Sequence, residues 1–263
     1  MIISHKHKFV FLHNPKVAGT AIRQVLESLH DDDTNFWHQG FVPELDRVTD
    51  LAHLTWREIR RIRPEVEDYE SMVVVRNPYK RFLSGLQEHW RQHGCEMPHT
   101  GTEQIDSWLE NHADETNFRW NWKYIHLCPQ HYFVPPTGTT WVLKHETLNT
   151  DWLAFQRSMA EKGVEIGNLP VGVRARPDVP GTLTVDNLSD FAIEVLNNIY
   201  HHDFKSLDYP RIGTDQSSKL PAWDHYERVN GIHNPYLPAP DKETLTDGER
   251  IAYRLQVGTR STP

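Results

Sequence analysis

The stretch Phe9-Val10-Phe11-Leu12-His13-Asn14-Pro15-Lys16-Val17-Ala18-Gly19-Thr20-Ala21 decides the fold. Its opening residues form an unbroken apolar run, which predicts a short buried strand over 9–13. Further on, Ala21, Ile22, Val25, Leu26 and Leu29 recur at helical spacing and predict a helix over 20–29. Between strand and helix lies a short loop of small residues with one lysine. Amides at a helix N-terminus make a cradle for an anion. Gly19 lets backbone approach a phosphate closely, and Lys16 adds a point charge.

The same arrangement recurs downstream. Met72-Val73-Val74-Val75 is β-branched and continuous, as in strands buried on both faces. Asn77-Pro78 supplies an N-cap and a proline for the first helical position, so a helix is expected over 78–90. Arg76 stands where that strand stops, and Ser84 follows about two helical turns on, on the side of Arg81. A guanidinium and a hydroxyl so placed suit a second phosphate. Two phosphate sites on two strands point to a nucleotide phosphorylated at two places.

The remaining elements are read outward from these. Thr55-Trp56-Arg57-Glu58 fits a capping box, so a helix starts near Thr55. Helices are expected over 102–112 and 148–159, a strand over 141–143, and a helix opened by Ser189. Residues 163–187 read as loops, and from Pro210 the chain turns polar, with one short helix expected at 246–255. Strands alternating with helices predict an α/β fold, a P-loop-like three-layer sandwich whose central, mainly parallel sheet is flanked by helices. Residues 1–210 are expected to form one catalytic domain and residues 211–263 an irregular extension packed on it.

Composition narrows the function. The chain has 263 residues, 28 Lys and Arg against 36 Asp and Glu, and a net charge of −8. That balance speaks against a nucleic-acid coat. No apolar run approaches the roughly 20 residues of a membrane span, and no signal peptide is visible. Cys95 and Cys128 make no disulfide framework. The expected location is the cytoplasm, the alternative being a Golgi-lumen domain separated from its anchor. The first loop is not a nucleoside-triphosphate motif of the G-x-x-x-x-G-K-[ST] type. Lys16 lies three residues before Gly19, so the magnesium-binding hydroxyl beside the lysine is missing.

F-x-H-x-P-K-x-A-G-T followed by a helix, then R-N-P-Y-x-R-x-x-S, resembles the family of sulfotransferases that use 3′-phosphoadenosine 5′-phosphosulfate (PAPS). More narrowly it resembles their carbohydrate branch, which includes heparan sulfate 2-O-sulfotransferases. Gln130, Tyr132, the segment Leu143–Leu148 and Tyr200-x-x-Asp203-Phe204 extend the likeness to about residue 210. One departure is Ala21, where many relatives carry Ser or Thr.

The resemblance implies a PAPS-dependent transfer of a sulfuryl group to a hydroxyl, with a carbohydrate the expected acceptor, PAP released and no metal required. It implies that Pro15, Lys16, Val17, Ala18, Gly19, Thr20 and Ala21 grip the 5′-phosphosulfate and that Arg76 and Ser84 grip the 3′-phosphate. Arg174 lies in a segment that brings a basic residue to the nucleotide in relatives. Lys16 is the expected donor to the bridging oxygen, since charge grows there as the bond breaks. An acceptor hydroxyl needs a base near neutral pH, and His53, just before the capped helix, is the candidate. His13, Glu58, Gln130, Tyr132 and Glu146 are read as structural, and the aromatic stretch Trp120–Tyr124 as core. The competing readings are a small-molecule kinase on a related scaffold and a non-catalytic nucleotide-binding protein. The acidic balance favours a neutral or weakly charged glycan over a highly sulfated one.

Overall fold

The computed structural model describes residues 1–93, 101–136, 138–170 and 182–213. The chain opens with β1 (Ile2–Ser4), which turns back antiparallel onto β2 (Phe9–Leu12). Then come α1 (Gly19–Leu26), a hairpin of β3 (Gln39–Val42) and β4 (Arg47–Asp50), α2 (Trp56–Ile62) and β5 (Glu70–Val75). Next are α3 (Pro78–His93), α4 (Thr102–His112), α5 (Glu115–Trp120) and β6 (Thr140–Lys144). Last are α6 (Leu148–Glu161), α7 (Asp190–Ile199) and α8 (His201–Ser206).

The fold is α/β. Its main sheet runs β1-β2-β5-β6, with β2, β5 and β6 parallel and β1 antiparallel at the edge. Phe9, Phe11, Met72 and Val74 point to one face, where Ile22 and Leu26 of α1 and Leu148, Trp152 and Phe155 of α6 cover them. Val10, Leu12 and Val73 point to the other, against Trp56 and Ile59 of α2, Phe36 and Phe133. Burial on both faces is the physical reason that these strands read as continuous apolar runs. A further core joins α3, α4, α7 and α8 through Tyr79, Phe82, Leu86, Leu196, Tyr200 and Phe204.

Local signals place the helix starts. Thr55 Oγ1 accepts from the Glu58 amide while Glu58 Oε2 accepts from the Thr55 amide at 2.8 Å, closing the capping box on α2. Asn77 Oδ1 accepts from the Lys80 amide at 3.2 Å and caps α3, which runs three residues beyond the expected end. The first strand stops at Leu12, one residue short of expectation, because Asn14 bends back onto Leu12 O. The helix read over 20–29 starts at Gly19, and its last three residues tighten into a 3₁₀ turn. β1 and the β3–β4 hairpin were not expected from the sequence. The short helix at 246–255, Arg174 and almost all of the C-terminal extension lie outside the described residues.

Parallel order puts the C-terminal ends of β2 and β5 side by side. The two loops singled out in the sequence therefore meet at one edge of the sheet, where α/β sheets bind ligands.

Candidate active site

Asn14 follows β2 by two residues and is fully buried. Its Nδ2 donates to Val74 O at 2.9 Å and to Gln130 Oε1 at 3.1 Å, tying the loop to the neighbouring strand. Lys16 and Ala18 then adopt φ of 66° and 68°. Left-handed backbone at a residue with a side chain costs roughly 1–2 kcal/mol. Such strain collects where backbone is shaped for a ligand. Kinks of this kind turn successive amides into one concavity. Ala18 caps α1 without any side-chain hydrogen bond. The first-turn amides of Gly19 and Thr20 have no intrahelical acceptor and remain donors for an anion.

The loop residues divide by role. The Val17 side chain is buried in the sheet core, and Pro15 has no N–H to donate to a phosphate. The Ala21 amide bonds Ala18 O at 3.2 Å. Thr20 is exposed. Gly19 serves a purpose that the sequence does not suggest. A Cβ there would lie 2.0 Å from His13 Cδ2 and Nε2, so the glycine makes room for an imidazole.

Arg76 sits at the end of β5. Its backbone is clamped by Gln130, whose Oε1 accepts the Arg76 amide at 2.9 Å and whose Nε2 donates to Arg76 O at 2.8 Å. Its Nη1 donates to Lys16 O at 3.2 Å, so the two loops touch. Its Nε is buried without a partner among the described residues. Burial works against the Arg76 charge and lowers its pKa. An anion placed beside it would restore that lost solvation. Arg76, Lys80, Leu83, Leu183, Thr184 and Val185 line a cavity of about 170 Å³.

Lys80, Ser84 and Glu88 follow at i, i+4 spacing and share one face of α3. Arg81 on the same helix is structural. It is fully buried and braces the chain by donating to His126 O at 3.3 Å and to Cys128 O. Lys16 Nζ pairs with Glu88 Oε2 at 3.2 Å, which brings the lysine onto this face.

His53 lies across the loop, buried to 9% exposure. Its Nδ1 faces His13 O at 2.8 Å. A carbonyl only accepts, so Nδ1 carries the proton and the Nε2 lone pair is left to take one. The His53 ring lies 4.5 Å from the His13 ring and 5.4 Å from the His126 ring. His13 in turn stacks on Trp37 at 5.4 Å. Burial lowers the pKa of His13 and His53 and pushes that of His126 down to about 3. The Lys16 charge acts in the same direction on His53 and His126, which places its ammonium near both. The imidazoles are therefore neutral near pH 7, the state in which His53 is a base.

Several residues around the site tie the fold together. Glu58 closes its capping box and pairs with Arg47. Glu146 accepts from the Asn77 amide at 2.8 Å and from Tyr209 Oη at 2.9 Å. Asp203, fully buried, accepts the amides of Gln130 and His131, each at 2.8 Å, and so holds the clamp residue in place. Tyr200 Oη donates to Leu127 O at 2.8 Å. Tyr124 packs among His89, Trp108 and Phe118. Lys80, Glu88 and His126 were missed in the sequence. The i, i+4 ladder from Lys80 would have flagged Glu88, whereas no local pattern marks His126.

Among the described residues no cluster of His, Cys, Asp and Glu is arranged to hold a metal, and no helix is long and apolar enough to cross a membrane. The profile of the sulfotransferase family matches residues 1–210. No curated protein and no solved structure matches the chain. The chain belongs to the sulfotransferase family, whose members transfer sulfuryl groups to an acceptor.

Proposed function

We propose that this member of the sulfotransferase family moves the sulfuryl group of PAPS onto a hydroxyl of a carbohydrate and releases PAP. We read the scaffold as P-loop-like and three-layered, with catalysis assigned to residues 1–210, and the acceptor as a neutral or weakly charged glycan. The observation that carries this reading is a single meeting point. The strained Lys16 loop, the Arg76 strand end and the neutral His53 converge where β2 and β5 stop.

The residues suit the two ends of the nucleotide. Arg76, with Lys80 and Ser84 on α3, offers cations and a hydroxyl to a 3′-phosphate. The amides of Gly19 and Thr20 offer donors to the 5′-phosphate. Transfer forms a bond from the acceptor oxygen to sulfur and breaks the bond from sulfur to the phosphate oxygen. The electron pair stays on that oxygen, where Lys16 supplies positive charge. The acceptor proton goes to His53 Nε2, and the His13 carbonyl stabilises the imidazolium through Nδ1–H.

Transfer of labelled sulfate from PAPS to a panel of glycans tests the reading, with PAP affinity measured beside it by calorimetry. Lys16→Ala is expected to cut turnover at least about 100-fold with a small change in PAP affinity. Arg76→Ala is expected to weaken PAP binding about 10-fold or more. Wild-type protein that neither binds PAP nor modifies any acceptor overturns the proposal. Near-normal turnover of His53→Ala at neutral pH assigns the base elsewhere.

A further inference from the structure

The ammonium that must meet the leaving oxygen is already committed. Lys16 Nζ pairs with Glu88 Oε2 at 3.2 Å, and the two side chains are only 14% and 10% exposed. Lys16 reaches Glu88 from a loop held in left-handed backbone, on a helix one strand away. A surface lysine would not be fixed in this way.

We propose that Glu88 is a positioning residue that holds Lys16 against α3 while the donor is absent, and that the 5′-phosphosulfate displaces the Glu88 carboxylate as the partner of Lys16. The inference rests on the sulfotransferase reading above and names how its key cation is stored. Glu88 is built for such an exchange. Its Oε1 is held separately, by Arg91 on the same helix and by Gln92 Nε2 at 3.0 Å. When Lys16 leaves Oε2, the carboxylate keeps two donors and is not stranded as a lone buried charge. Burial would raise the Glu88 pKa, but Arg91 and Lys16 hold it at about 2, so the carboxylate is charged throughout the working range. The competitor for Lys16 is thus permanently anionic, and only another anion close by can displace it. The donor brings one to the loop that carries Lys16. Neither Arg76, which donates to Lys16 O rather than facing its amine, nor His53 offers a negative partner.

The test needs no acceptor. Side-chain amines are labelled with an acetylating reagent, and Lys16 is read by peptide mass spectrometry in wild type and in Glu88→Gln. Glutamine keeps one oxygen for Arg91 and Gln92 and puts an uncharged NH2 where Oε2 faced Lys16. Lys16 is expected to react about 3- to 10-fold faster in the variant, since an ion pair of this kind holds the amine protonated. PAP affinity, measured in the same proteins, is expected to tighten about 3- to 10-fold, because the Glu88 charge no longer competes for the amine. In a Lys16→Ala background the Glu88→Gln change should alter PAP affinity less than about 2-fold.

Unchanged Lys16 reactivity overturns the proposal, as does weaker PAP binding in Glu88→Gln or an equal tightening without Lys16. Wild-type protein that binds no PAP overturns the exchange together with the sulfotransferase reading, even if Lys16 labelling responds. Wild-type protein that binds PAP, with no response to Glu88→Gln, overturns the exchange alone. Should Glu88→Gln fail to fold, Glu88→Asp withdraws the carboxylate by one methylene and is expected to shift both readings the same way by a smaller factor.

Discussion

Replacing Gln130 with leucine tests whether the two anion loops are aligned by one side chain. Leucine has nearly the same volume, so no large cavity follows. What disappears is the bond from the Arg76 amide at 2.9 Å, the bond to Arg76 O at 2.8 Å and the bond from Asn14 Nδ2 at 3.1 Å. Asn14 keeps its other bond, to Val74 O at 2.9 Å. Three polar groups are left facing an apolar side chain in a fully buried position. Each stranded group costs about 1–3 kcal/mol, and water reaching the partly exposed Arg76 brings the sum toward about 3 kcal/mol. For a chain of this size that lowers Tm by about 6–12 °C. The loss extends to function, because Asn14 precedes the Lys16 loop and Arg76 is the second anchor. PAP affinity should fall about 10-fold or more, since misplacing both loops is equivalent to losing one charged contact. Thermal melts and calorimetry on the same preparation give both numbers. A variant that melts within about 2 °C of wild type and binds PAP equally well refutes the clamp.

Gly19→Ala should be disproportionately harmful for a single methyl group. The new Cβ meets the His13 ring at 2.0 Å, and overpacking of this kind costs about 1–3 kcal/mol. Because His13 O holds His53 Nδ1, turnover should fall as well, and wild-type kinetics in this variant would remove the steric account. Acid should destabilise the protein early. His13, His53 and His126 have native pKa values below the ordinary 6.5, so below about pH 6.5 the unfolded chain takes up protons that the native state refuses. Stability is full above pH 6.5 and falls below it, by up to about 4 kcal/mol per pH unit for three histidines. Melts at pH 7.5 and 5.5 measure the drop, to which His89 and His131 add in the same direction, and His126→Asn should reduce it. A Tm that does not move between those pH values contradicts the neutral cluster.

Much of the framework was legible because the features that carry it are local. Phe9–Leu12 and the run at 72–75 are continuous apolar stretches, and both proved to be strands buried on two faces. Thr55 with Glu58, and Asn77 with Pro78, are capping signals that act within one turn, so they could be read without tertiary knowledge. What stayed hidden is tertiary or too short. β1 has three residues, and the β3–β4 hairpin is held by main-chain pairing that leaves Phe41 58% exposed. His126 reaches His53 from a 3₁₀ segment without periodic apolar pattern. The steric need for glycine at position 19 also stayed hidden, since the ring it accommodates is 6 residues earlier in its own chain.

On the proposed reading, a net charge of −8 says little about whether one place on the chain suits an anion. Field strength at a phosphate depends on what lies within a few ångström, and beyond about 8–10 Å exposed charges are screened by salt. Within that radius the contributors are Lys16, Arg76, Lys80 and amides at a helix start, none of which the total registers. Two acidic residues act there as well: Glu146, whose charge acts on Arg76, and Glu88, which lies on the Lys16 ammonium itself. The placement of these few charges depends in turn on residues far from any ligand. Asp203 on α8 holds the Gln130 amide, Gln130 holds Asn14 and Arg76, and those two begin the loops that carry the charge. Asp203→Asn should therefore weaken PAP binding through Gln130 while leaving every candidate ligand residue in the chain. The same substitution in a protein already carrying Gln130→Leu should have much less further effect on PAP affinity, because the side-chain bonds through which it acts on Asn14 and Arg76 are then absent.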